Sequence, residues 1–133
     1  DDRVTSIAAH PRYAPETATP VDARVMAGLR ALSGGGEFLG EVIDSFRADS
    51  RQIMERIGAA AGAGDTTAFV RGIHALRRCA ATLGGASLCE LALSLRDVSA
   101  AELRQQNGAI VQRLSAELAR LDAALVEYLP RAG

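Results

Sequence analysis

The sequence predicts an all-α protein, an antiparallel four-helix bundle with a short additional helix at its N-terminal side. Three observations lead there. Apolar residues recur at three- and four-residue spacing in five segments. Glycine clusters or Ser-x-x-Glu sequences separate most of these segments, as helix stops and starts do. The apolar residues are mainly Ala, Leu, Ile and Val, with aromatics at 4% and no Trp, which suits packed helices better than a β-sandwich. At 133 residues the chain can build one core and is short for two. A formal net charge of -1 and an apolar fraction of 48% exclude a disordered or polyanion-coating chain, so no nucleic-acid partner is expected. All 15 basic residues are Arg.

Residues 1 to 18 contain Pro11, Pro15 and Thr17 without any period, and are read as a linker that carries a solvated His10; the bundle occupies 19 to 130. Thr19-Pro20-Val21-Asp22 supplies an N-cap, a Pro at the first helical position and an acidic third residue. The short helix that follows places Val21, Val25, Leu29 and Leu32 at helical spacing and stops at Gly34-Gly35-Gly36. The second helix is predicted from about Glu37 to Ala61, with Leu39, Val42, Phe46, Ile53 and Ile57 on one stripe, and Gly62 and Gly64 end it. Asp65 caps the third, which reaches about Leu83 before Gly84-Gly85. Ser87 to Glu90 and Ser99 to Glu102 both match the capping-box pattern and open the fourth and fifth helices. The fourth sets Leu88, Leu91, Leu95 and Val98 on one face. The last carries Leu103, Ile110, Leu114, Leu118, Leu121, Leu125 and Tyr128, and Pro130 closes it. Four long helices with short connections pack most simply as an antiparallel bundle, the first helix covering one end.

Several chemistries are excluded by what the motifs require. A di-metal bundle site needs paired Glu-x-x-His sequences, and the chain has two histidines, neither following such a Glu, so no metal is expected. There is no Gly-rich loop leading to a Lys, no Gly-x-Ser-x-Gly elbow, and no evident His partner for a Ser or Cys nucleophile. Cys79 and Cys89 read as packing residues. No apolar run of about 18 residues occurs, so no span or direct membrane contact is expected and a cytoplasmic setting is the default. The chain begins Asp1-Asp2-Arg3 without Met, which suggests a segment of a longer polypeptide.

His74 is what remains. Phe69, Ile73, Leu76, Ala80 and Leu83 form the inward stripe of the third helix, and at about 100° per residue His74 points about 140° away from its centre, into solvent. Arg71 and Arg78 fall on the same outward arc, Arg77 lies near its edge, and Ala81 sits two turns on. An imidazole among guanidinium groups is a nucleophile in surroundings that would stabilise an attached anion. The alternative from position alone is an ordinary surface histidine on a solvated face.

Spacing adds to this. The run from His74 resembles the histidine-containing phosphotransfer domain, whose pattern is a His, an apolar residue two on, Lys or Arg three on, Gly four on, small residues behind, then an apolar residue and Gly nine and ten on, and Leu at fourteen. These positions fall on His74, Leu76, Arg77, Arg78, Cys79-Ala80-Ala81, Leu83, Gly84 and Leu88. The upstream Gly36-Glu37-Phe38-Leu39 and Phe46 are also similar, and the likeness extends over roughly residues 20 to 129. One position departs from it, since Arg78 stands where the family usually has Gly.

The resemblance implies a phosphorelay intermediate, with His74 accepting a phosphoryl group from the aspartyl phosphate of a receiver domain and passing it to a response-regulator receiver. Arg71, Arg77, Arg78 and Ala81 would stabilise the phosphate or meet the receiver. It further implies that the receiver brings Mg²⁺, so no cofactor is expected on this chain, which is a phosphoryl carrier rather than a stand-alone catalyst and has no ATP site. A monomer, placed at the C-terminus of a membrane-bound bacterial hybrid sensor kinase and facing the cytoplasm, is the expected context. The alternative is a docking bundle that binds receivers without transferring phosphate.

Overall fold

The computed structural model describes residues 20–33 and 37–129. They form five helices and no strand: α1 (Ala23–Ser33), α2 (Glu37–Ala63), α3 (Thr66–Thr82), α4 (Ala86–Ser94) and α5 (Ala100–Val126). The expected linker with His10, the Thr19 cap and Pro130 lie outside the described residues. α3 packs on α2 and α4, and α5 packs on the same two, so the four close into a bundle ring around one core. Phe69, Leu39, Ile43, Ile57, Ile73, Leu76, Leu91, Leu103 and Leu114 are among its fully enclosed side chains. The all-α antiparallel bundle is therefore the architecture the periodicity predicts.

Two glycine turns make the ring close. At the end of α2, Gly64 adopts φ 70° while its N–H donates to the Ala61 carbonyl and the Asp65 N–H to that of Ala60. At the end of α3, Gly84 adopts φ 67°, donating to Ala81, and Gly85 donates to Ala80. Both are the paired bonds of a Schellman stop, which needs a left-handed residue at that point. Gly84 is constrained twice over, because a Cβ there would lie 2.8 Å from the Val25 Cβ and 3.2 Å from the Asp22 carbonyl oxygen.

That close approach is how α1 covers one end of the bundle. The Asp22 N–H donates to the Gly84 carbonyl at 2.7 Å, tying the start of α1 to the α3–α4 turn. At the other end of α1, Arg30 donates to the Tyr128 carbonyl at 3.2 Å and sets its guanidinium carbon 5.8 Å from the centre of the Tyr128 ring. α1 thus spans from the end of α3 to the end of α5.

The structure corrects the predicted pattern in several places. α1 begins at Ala23, with the Asp22 carboxylate accepting from the Arg24 N–H, and its inward residue is the fully buried Met26, whereas Leu32 is 76% exposed. Ile43 is more enclosed than Val42. Leu118 and Tyr128 are only partly buried, and Glu117 occupies a core position beside Leu118. α4 is not a long helix: its backbone stops at Ser94, although Leu95 and Val98 beyond it remain buried as expected. α5 is broken by non-helical angles at Gln106.

The second capping box forms, with the Glu102 N–H bonded to Ser99 Oγ at 3.1 Å and Ser99 N–H to Glu102 Oε1 at 3.4 Å. The first does not. Gly85, not Ser87, stands at the N-cap of α4 with no side-chain cap bond, and Ser87 is buried. Its Oγ donates to Glu117 Oε1 across the core, where Glu117 also accepts from Arg120 Nη1 at 3.0 and 2.7 Å. A tertiary partner thus replaces the local one.

On the α2–α5 seam, the Asp122 Oδ1 is buried and accepts no hydrogen bond. Burial pushes its carboxyl above the usual carboxylate range, against the opposing pull of Arg47 and Arg51. A pKa higher in the folded than in the unfolded chain means that the ionised group opposes folding; the penalty is relieved as pH falls through the folded value and is absent below the unfolded one. Asp122→Asn should therefore raise the melting temperature at neutral pH, and the gain should shrink as melts are repeated below the ordinary Asp value of about 3.9. An equal gain at both pH values would contradict burial as its cause.

Candidate functional site

α3 is held on three sides, and this determines which residues face out. Asp65 starts it by accepting from the Ala68 N–H at 3.0 Å. Phe69, Ile73, Leu76 and Ala80 are buried against the core. Toward α2 the two backbones come close at Gly72, where a Cβ would fall 2.6 Å from Ile57 Cγ1, so only glycine permits this approach without displacing Ile57. Toward α4, the Cys89 thiol donates to the Arg77 carbonyl at 3.5 Å.

The face left over carries His74. It is exposed, as are Arg71, Arg78 and Ala81, while Arg77 is partly buried at the α4 edge. These five positions are the ones the helical spacing placed on the outward arc. The His74 ring makes no hydrogen bond to any described residue, and Arg71, Arg77 and Arg78 form no ion pair within them. An imidazole is thus presented on a rigid helix beside three guanidinium groups that form no ion pair with a described residue. Such a surface attracts an anion and can hydrogen-bond one in the planar geometry that guanidinium offers.

The thiols are poor rivals. Burial raises the Cys79 pKa, helped by Asp49 and opposed by Arg78; burial likewise raises that of Cys89, opposed by Arg77 and helped by Glu90. Both are therefore held further toward the unreactive thiol form. Among the described residues, no three His, Cys, Asp or Glu side chains gather so as to hold a metal ion, and no helix is long and apolar enough to cross a membrane.

Sequence reading did not assign any role to Glu41, Asp49 or Arg56, which flank the α2–α3 seam beside this face. Their i, i+8 and i+15 relations on α2 were visible, but which edge of α2 adjoins α3 depends on the close approach at Gly72.

Comparison with solved structures finds a match to the histidine-containing phosphotransfer protein B (HptB) of Pseudomonas aeruginosa PAO1, with a TM-score of 0.71 at 24% identity, over 84% of this chain and 95% of that one. At that identity it is the fold that is shared. No curated protein matches the chain. The profile of the Hpt domain matches residues 41–124, from the first turns of α2 to the last turns of α5. This match spans more than half of the chain and includes the whole helix that presents His74, and so the chain belongs to the Hpt domain family.

Proposed function

We propose that His74 is the phosphoacceptor of this domain and that it relays a phosphoryl group between receiver domains. Membership of the Hpt family supports phosphotransfer in a two-component phosphorelay as the general role. The observation that carries the assignment to one residue is the exposed, unbonded His74 imidazole among Arg71, Arg77 and Arg78.

In the forward step a ring nitrogen of His74 donates its lone pair to the phosphorus of the partner's aspartyl phosphate. The new P–N bond forms as the P–O bond to the carboxyl oxygen breaks, and the partner's aspartate leaves as a carboxylate. Transfer onward reverses this on a second receiver. Mg²⁺ is expected on the receiver, where it would offset charge on the phosphoryl oxygens. This chain contributes a nucleophile fixed in position by α3, an open approach over Ala81, and positive charge for the phosphoryl group. Arg77, half-buried and anchored near α4, offers a bidentate fork one turn beyond the imidazole, and Arg78 extends the positive field on the α2 side. The parent polypeptide proposed for it is a bacterial hybrid sensor kinase, with this domain in the cytoplasm.

The test is to incubate the chain with receiver domains phosphorylated on aspartate and to map the product by mass spectrometry. Acid-labile, alkali-stable phosphate at residue 74 is expected. Receiver binding with no phosphate on the chain would instead establish the docking bundle, with Arg78 in the usual glycine position as the block.

A further inference from the structure

The arginines of α3 are not equivalent toward a group attached to His74. Side chains on a helix lean toward its N-terminus, so a residue one turn further on reaches back over the one before it. Arg71, three residues ahead of His74, therefore leans away from the imidazole, whereas Arg77 and Arg78, three and four residues after it, lean over it. At about 100° per residue, Arg77 lies about 60° to one side of His74 and Arg78 about 40° to the other. Their surroundings agree with this division. Arg77 is half-buried and acts on the Cys89 thiol of α4. Arg78 is exposed on the α2 side, where it and Asp49 act with opposite sign on the Cys79 thiol. Neither Arg78 nor Asp49 enters an ion pair among the described residues.

We propose that Arg78 closes a bracket around phosphorylated His74, its guanidinium meeting the phosphoryl oxygens from the side opposite Arg77, and that this second fork sets how firmly the domain retains the group against a receiver. This rests on the assignment of transfer to His74 and adds a residue that biases the direction of net flow. The phosphoryl group brings nearly two negative charges and three acceptor oxygens, enough for two guanidinium forks. No ion pair among the described residues has to break for Arg78 to meet it, so the stabilisation belongs to the phosphorylated chain alone. In the return step the P–N bond breaks as a P–O bond to the receiver's carboxylate forms, the ring nitrogen recovers its electron pair, and the contact with Arg78 is lost. The ratio of phosphate on His74 to phosphate on the receiver's aspartate therefore registers Arg78 directly. Exposure keeps the effect moderate, because solvent screens the charge and the side chain must be ordered.

The test equilibrates the chain with a receiver that labels it and measures how phosphate is shared between residue 74 and the receiver's aspartate. Arg78→Ala, at an exposed helical position where alanine is well tolerated, should move the ratio roughly three- to tenfold toward the receiver. Arg78→Lys, which keeps the charge without the planar fork, should fall between Ala and wild type. Arg104→Gln removes the same charge from an exposed position on α5 and should leave the ratio at the wild-type value. The gap between wild type and Arg78→Ala should narrow as salt is raised. A second readout needs no variant at position 78: the Arg78 Nε–H resonance should move when His74 is phosphorylated. An unchanged ratio in Arg78→Ala, a shift toward the chain, a shift of equal size in Arg104→Gln, or an unmoved resonance would overturn the bracket while leaving the His74 assignment standing. Failure of every receiver to place phosphate on residue 74 of the wild-type chain would overturn both.

Discussion

A chain in which His74 is replaced by alanine should acquire no acid-labile phosphate from a receiver that labels the wild type, while the same replacement at His10 should leave labelling intact. Loss at position 74 should be complete, because no neighbouring group can take over. Burial and Asp49 hold the Cys79 thiol protonated, with Arg78 opposing them only in part, and Cys89 is half-buried with its thiol directed to the Arg77 carbonyl. The hydroxyl of Thr82 donates to the Arg78 carbonyl at 3.2 Å, so its proton is engaged within the helix. Fold stability should change little, within about 0.5 kcal/mol, since the imidazole is exposed and supports no contact in the core. Equal labelling of His74→Ala and wild type, measured on chains with matching thermal melts, would reject the relay assignment.

The legibility of this site in the sequence has a simple cause. Helical periodicity is a local property, and α3 obeys it without interruption from its Asp65 cap to the Gly84 stop, so the direction of His74 followed from the positions of Phe69, Ile73, Leu76 and Ala80 alone. The same holds for the α5 start, where Ser99 and Glu102 satisfy each other within one turn. What did not follow were features decided by a neighbour. Met26 turned inward in place of Leu32 because α1 is pinned at Gly84 and Tyr128, which sets its rotation on the bundle. Ser87 had a Glu three residues on and yet forms no box, because a carboxylate on another helix reaches it. The charged rims of the α2–α3 seam likewise depend on how Gly72 lets two helices meet.

Replacing Glu117 with alanine should destabilise the bundle by about 2–4 kcal/mol, far more than an exposed charge on a helix would. The carboxylate is 1% exposed and accepts from both Ser87 and Arg120. Breaking a buried pair costs about 3–5 kcal/mol when the remaining charge is trapped. Here Arg120 is 37% exposed and can return to water, so that part is reduced. The Ser87 hydroxyl has no such escape, and a buried donor without an acceptor costs about 1–3 kcal/mol, to which the space vacated by the side chain adds. Glu117→Met combined with Ser87→Ala removes both polar partners and fills the volume, and should match or exceed wild-type stability in urea titration. If Glu117→Ala alone were as stable as wild type, the network would have no part in the fold. The consequence should reach the candidate site. Glu117 places its charge at the first turn of α4, a helix start that lacks a side-chain cap and favours a nearby anion. α4 in turn braces α3 through the bond from Cys89 to the Arg77 carbonyl. Loosening α4 should therefore slow transfer at His74 under conditions where the chain is still folded, and the Met/Ala pair, which restores packing without the charge, should recover it.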